Sequence, residues 1–257
     1  MSLSDDERWI LPENLKRQER REVEQIEQGI DAPVGDFGSY HALFTGKNTE
    51  SVKEHAVLDA HYLSSYVRQA KILLDAAGCP ETPDILDVGC GPGAVSAALA
   101  EVYPRGRVLG VDISESAIAY AKKLYPRCEF LAAAVDEKMA LPRKFDVIHA
   151  REFYPFTRTG DVDFHRRYFD IFAANLAPNG LVLVSLVDGE KNLSKNIAAL
   201  SAHLEGRGLS PLRLTFMAHP KLARWLPLAL ARTATKALLS TRGRRPFTFY
   251  LTMDLTR

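Results

Sequence analysis

The stretch Asp84-Ile85-Leu86-Asp87-Val88-Gly89-Cys90-Gly91-Pro92-Gly93 sets three glycines at alternate positions, directly after a short apolar run and before a helix-forming segment. Glycine at 89, 91 and 93 removes side chains that would hold a ligand off the backbone. Open α/β sheets bind ligands where strands end and helices begin, so the placement suits a site. Nineteen residues after Gly93, Asp112 closes the next apolar run in Val108-Leu109-Gly110-Val111-Asp112-Ile113-Ser114. A carboxylate there can accept both hydrogens of a ribose diol, each charge-assisted bond contributing roughly 1.5–3 kcal/mol. The pair therefore points to a nucleoside cofactor. A dinucleotide site calls for GxGxxG and a helix N-terminus aimed at a pyrophosphate. Here the spacing is GxGxG with Pro92 interposed, and an acid, Asp87, stands in the strand end. A cofactor without phosphate needs no anion cradle, whereas a cationic amino-acid tail is drawn to a carboxylate.

Together with Leu141-Pro142 and Phe145-Asp146-Val147-Ile148, these motifs resemble the class I S-adenosylmethionine-dependent methyltransferases in order and spacing, from residue 84 to about 187. The resemblance implies S-adenosyl-L-methionine as cofactor. It places the methionine part against Gly89, Cys90, Gly91 and Gly93, and the ribose on Asp112. Asp87 is expected to fix the turn and face the amino group, directly or through water, and Ile113 to pack on the adenine ring. Family members carry an acid after the third strand. Counting forward from Phe130 lands on Ala132-Ala133-Ala134, and counting back from Leu141-Pro142 lands on Asp136 or Glu137. Val135 and Asp136 are taken as the adenine contact, although Asp136 reads equally well as the start of a solvated loop.

Methyl transfer from a sulfonium is an in-line displacement, so the protein mainly aligns nucleophile, methyl carbon and sulfur. A base is needed only where the acceptor holds its proton tightly. The acceptor side is expected in His149-Ala150-Arg151-Glu152-Phe153-Tyr154-Pro155-Phe156, after the fourth strand. His149 is the candidate base or orienter, unless it is one of the non-catalytic cofactor contacts that family members often place here. Arg151, Glu152 and Tyr154 are candidates to hold a polar acceptor, with the phenylalanines excluding water. His41, among Gly35, Gly38 and Gly46, is the candidate residue of a lid. Asp161-x-Asp163-x-His165 superficially suggests a metal, but Asp163 as a helix N-cap explains it better, and no metal is expected.

Short apolar runs alternate with helix-forming segments over residues 84–187, the pattern of parallel strands covered on both faces. The expected fold is α/β and doubly wound: a mostly parallel seven-stranded sheet with an antiparallel edge strand, preceded by N-terminal helices. Residues 1–50 read as a helical extension and lid, and 51–257 as the cofactor-binding domain. The 257 residues balance 33 basic against 32 acidic side chains. That balance, with no NPPY-like tetrad after the fourth strand, argues against nucleic-acid or protein acceptors and for a small-molecule or lipid- or sugar-linked one, methylated on O or N. Three cysteines without a CxxC pair, and a polar N-terminus, fit a reducing cytoplasmic setting. Residues 221–245 carry six arginines and lysines besides Lys221 and no acid, interleaved with leucines and Trp225. This is either a solvated helix face or a peripheral contact with an anionic membrane or lipid-linked substrate. A catalytically inactive cofactor-binding module stays open as an alternative, and the glycine spacing disfavours a nucleotide-dependent oxidoreductase.

Overall fold

The computed structural model describes residues 60–113, 115–157, 160–186, 192–241 and 251–256. Helix α1 (Ala60–Ala76) leads into strand β1 (Asp84–Val88), then α2 (Ala94–Val102), β2 (Arg107–Asp112), α3 (Glu115–Leu124) and β3 (Glu129–Ala132). Next come β4 (Phe145–Arg151), the single turn α4 (Tyr154–Thr157), α5 (Val162–Asn175) and β5 (Leu176–Leu186). The chain closes with α6 (Ile197–Gly206), β6 (Arg213–Phe216), α7 (Pro220–Trp225), α8 (Leu228–Thr241) and β7 (Leu251–Thr256).

The strands form one sheet in the order β3-β2-β1-β4-β5-β7-β6, with the first five parallel. The antiparallel strand is not at the edge, contrary to the sequence expectation. β7 runs antiparallel between β5 and β6, and β6 is the edge. β6 suits that position because it is only four residues long and leaves Arg213 and Leu214 exposed.

Both faces of the sheet are covered, which is why β1 is buried at four successive positions. Leu86, Val88, Ile148, Ala150, Val182 and Val184 face α5, where Phe169 and Phe172 meet them. Ile85, Val147, Leu181 and Leu183 face the other way, toward Tyr66 and Val67 of α1 and Leu99 of α2. The buried stripe of α1 runs through Tyr66, Val67, Ala70 and Leu74, and that phase turns Ile72 outward.

At the amino ends of the strands, Asp84 pairs with Arg107 and Arg143, and Arg143 also pairs with Glu129. The glycine turn lies at the opposite, carboxyl end. The N-terminal extension 1–50, with His41, and the arginines at 242, 244 and 245 lie outside the described residues.

Candidate functional site

Backbone hydrogen bonds fix the turn after β1. The amides of Gly89 and Cys90 both donate to the carbonyl of Val111, at 2.8 and 3.1 Å, and Gly93 N donates to Cys90 O at 3.0 Å. Gly89, Gly91 and Gly93 all have left-handed backbones, with φ of 67°, 52° and 82°. A Cβ on Gly93 would sit 2.8 Å from the Phe130 ring, and one on Gly89 would sit 2.9 Å from Phe153. The carboxylate of Asp112 bends back over this turn, its Oδ2 accepting from Gly91 N at 2.8 Å. Asp112 is half-buried, so the turn orients the carboxylate while leaving it accessible. Ile113 follows it, also half-buried. Cys90 lends the site only its backbone. Its side chain packs inward against Ile118, Ala121 and Phe130, and burial pushes the thiol pKa up.

Beneath the turn lies a buried polar chain. Asp87 and His149 are register partners on adjacent strands, 1% and 0% exposed. Asp87 accepts from His149 Nδ1 at 2.7 Å on one oxygen and from Ser96 Oγ at 2.5 Å on the other. A carboxylate only accepts, so Nδ1 donates, and the other ring nitrogen is hydrogen-bonded to the Tyr66 hydroxyl at 2.5 Å. This bears on two expectations. His149 does not project from the strand end as an accessible base: β4 continues two residues further, and both its ring nitrogens are occupied. Asp87 braces the turn from below through Ser96 of α2, which follows that turn.

On the same face of the sheet, one step nearer the carboxyl end, stand Arg151 and its register partner Ser185. The Arg151 guanidinium lies 4.9 Å from the centroid of the Tyr66 ring. Glu152 is exposed, and its backbone takes a left-handed φ of 49° while its amide donates to Ser185 O. That conformation is costly for a residue with a Cβ and ends β4 abruptly. Tyr154 opens α4. Phe153 and Phe156 join Tyr168, Phe169 and Phe172 in an aromatic cluster, with Phe153 5.3 Å from Tyr168 and Phe156 5.2 Å from Phe169 between centroids.

The expected adenine contacts divide. Val135 is buried in the core beside β3. Asp136 spends one carboxylate oxygen on the amide of Lys138, closing a local turn, which matches the solvated-loop alternative. Its neighbour Glu137 is held by Arg167 through two bonds, and that pairing pulls its carboxyl down to about 2. The cap of α5 is Asp161, which accepts from the amides of Asp163 and Phe164; it is not Asp163. His165 is buried, bonded to Pro155 O and Asn196. Among the described residues no group of His, Cys, Asp and Glu could hold a metal.

Sequence reasoning missed Tyr66 and Ser96. Ser96 had a signal, a hydroxyl one turn into the helix that follows the glycines. Tyr66 had none, because its partner lies 83 positions away.

With this geometry in hand, comparison with known proteins is informative. A family model described as a methyltransferase domain matches residues 82–226. Two curated relatives are trans-aconitate 2-methyltransferases. That of Variovorax paradoxus is 28% identical over 130 residues, 51% of this chain and 48% of the relative. That of Klebsiella pneumoniae is 28% identical over 148 residues, 56% of each chain. The chain spans about half the length of the curated relatives it matches. Among solved structures, the N-methyltransferase NodS from Bradyrhizobium japonicum, in complex with S-adenosylhomocysteine, superposes with a TM-score of 0.55 at 14% identity, covering 86% of this chain and 97% of that one. The magnesium protoporphyrin IX methyltransferase from Synechocystis, with bound S-adenosylmethionine, gives 0.51 at 16% identity, covering 86% and 91%. At such identities the likeness is one of fold.

Proposed function

The chain belongs to the methyltransferase domain family, and from that premise we propose that it binds S-adenosylmethionine at the glycine turn and transfers the methyl group to an oxygen of a small carboxylate. One observation carries the cofactor half. Three left-handed glycines open the backbone at 89, 91 and 93, and Gly91 N aims the half-exposed Asp112 across the same turn. The ribose hydroxyls would donate to Asp112, and the sulfonium-bearing tail would run along the bare backbone between Gly89 and Gly93. The cofactor supplies an electrophilic methyl group. The protein supplies alignment and a water-poor surround, here the Phe153–Phe156 cluster.

The acceptor half rests on what His149 does. With both its nitrogens bonded inside the sheet, His149 is not placed to take a proton from the acceptor, which favours an acceptor whose nucleophile is already deprotonated at neutral pH. A carboxylate oxygen meets that requirement and a hydroxyl or an ammonium does not. Arg151, half-buried against Tyr66 at the carboxyl end, supplies a cation to orient such an acceptor. The curated relatives named for trans-aconitate support the same acceptor class. Three free thiols support a reducing compartment.

The test is a transfer assay with methyl-labelled cofactor against a panel of small mono-, di- and tricarboxylates, amines and alcohols. Base-labile label on a carboxylate, with Arg151→Ala raising KM for that acceptor at least ten-fold, is the expected result. Label appearing only on amines or alcohols would overturn the carboxylate assignment.

A further inference from the structure

The α7–α8 insertion carries an arrangement of side chains that methyl transfer does not call on. On helix α8, Ala231 and Thr235 are buried while Leu230 and Leu238 are 59% and 45% exposed. Just before it, Arg224, Trp225, Leu226 and Pro227 are exposed in succession at the junction of the two helices, Trp225 at 76%. Four of the seven large hydrophobic residues exposed among the described ones fall between 225 and 238. A contiguous group of exposed large apolar side chains marks an interaction site.

The charge around this apolar tip is one-sided. From residue 206 to 253 there are nine arginines and lysines and no aspartate or glutamate, leaving 24 basic against 32 acidic residues in the rest of the chain. In sequence, the basic excess of this nearly neutral chain lies in the stretch that also carries the exposed leucines. Arg224 lies 5.1 Å from the Trp225 ring centroid and Lys236 6.0 Å from that of Phe216, which keeps both cations beside the apolar surface.

We propose that the α7–α8 pair docks on an anionic lipid bilayer, with Trp225, Leu226 and Leu230 entering the headgroup–acyl boundary and Arg224 and Lys236 engaging lipid phosphates. Interfacial segments combine these features: aromatic and leucine side chains on the exposed side and cations beside them. Nucleic-acid contacts would be made by donors rather than leucines. Contact is peripheral, since no helix among the described residues is long and apolar enough to cross a membrane. Topology adds a consequence. The insertion leaves β6 at the end that pairs with Leu251, beside Leu186, so it emerges at the same carboxyl end of the sheet as Asp112 and Arg151. A docked molecule would hold its site near the bilayer. The docking itself does not depend on the methyl-transfer reading.

The full chain is floated with phosphatidylcholine vesicles and with vesicles doped with phosphatidylglycerol. A Trp9→Phe background leaves Trp225 as the only indole reporter. Binding to the anionic vesicles alone, with a blue-shifted Trp225 emission and loss of binding at high salt, is the expected result. Arg224→Gln with Lys236→Gln should weaken partitioning about 25-fold, at about five-fold per cation near a charged surface. Trp225→Ser with Leu230→Ser, both on exposed positions, should abolish binding without lowering the melting temperature. Equal binding to neutral and anionic vesicles, or none to either, would overturn the proposal. So would concentration-dependent dimers that the Trp225/Leu230 pair of substitutions dissolves, since a second copy would then be the occupant.

Discussion

His149→Ala distinguishes a base from a brace. The imidazole is 0% exposed and bonded at both nitrogens, to Asp87 at 2.7 Å and to Tyr66 at 2.5 Å. Removing it orphans one carboxylate oxygen and one phenol, both buried, and leaves a ring-sized void between α1 and β4. Orphaned buried groups cost about 1–3 kcal/mol each, and breaking a buried carboxylate pair about 3–5 kcal/mol in all. A chain of this size loses about 2–4 °C per kcal/mol, so melting should fall by about 6–20 °C. His149→Asn retains a donor toward Asp87 and should recover part of that loss. Circular-dichroism melts and urea titrations of the two variants measure it. Cofactor affinity should fall along with stability, since Asp87 braces the turn through Ser96. An alanine variant that melts with the wild type, holds cofactor equally well and loses only turnover would refute the reasoning and restore His149 as the base.

Gly93→Ala should destabilise by about 2–5 kcal/mol, combining a left-handed backbone with overpacking against Phe130 and Ala121, and should weaken cofactor binding. Gly78→Ala, with φ of 95° but nothing within 4 Å of the new Cβ, should cost only the backbone strain, about 1–2 kcal/mol. Equal melting of the two variants would contradict the packing argument. Glu137, its carboxyl drawn down to about 2 by Arg167, has a folded pKa below the unfolded value of about 4.3. Its stabilisation is therefore complete above about pH 5 and is lost as pH falls toward 2. The pair is largely exposed, so the contribution is under about 1 kcal/mol. The difference in melting temperature between wild type and Glu137→Gln should close between pH 5 and pH 2. A difference that stays constant over that range would count against the pairing.

The parallel half of the fold was legible because its strands announce themselves. Ile85–Val88, Val108–Val111 and Leu181–Leu186 are buried on both faces and apolar apart from Asp87 and Ser185, as a sheet covered on both sides requires. The glycine turn and Asp112 were legible because a bare backbone followed by an acid at the next strand end is a local pattern. What failed was long-range. The position of β7 inside the sheet depends on pairing β5 with residues that follow three intervening helices and a strand. The role of His149 depends on Tyr66, whose approach is set by how α1 packs on the sheet. An acid after the third strand is hard to place from sequence because one carboxylate oxygen of Asp136 is spent on its own loop. Local chemistry decided it, and a count of residues between motifs does not see that chemistry.

The most direct test of the account is calorimetric binding of S-adenosylhomocysteine to the wild-type chain and to Asp112→Ala. Loss of charge-assisted bonds to the ribose should weaken binding at least ten-fold, as roughly 1.5–3 kcal/mol per bond requires, while NADH should bind neither protein. Wild-type affinity in Asp112→Ala, or NADH binding tighter than S-adenosylhomocysteine, would contradict it.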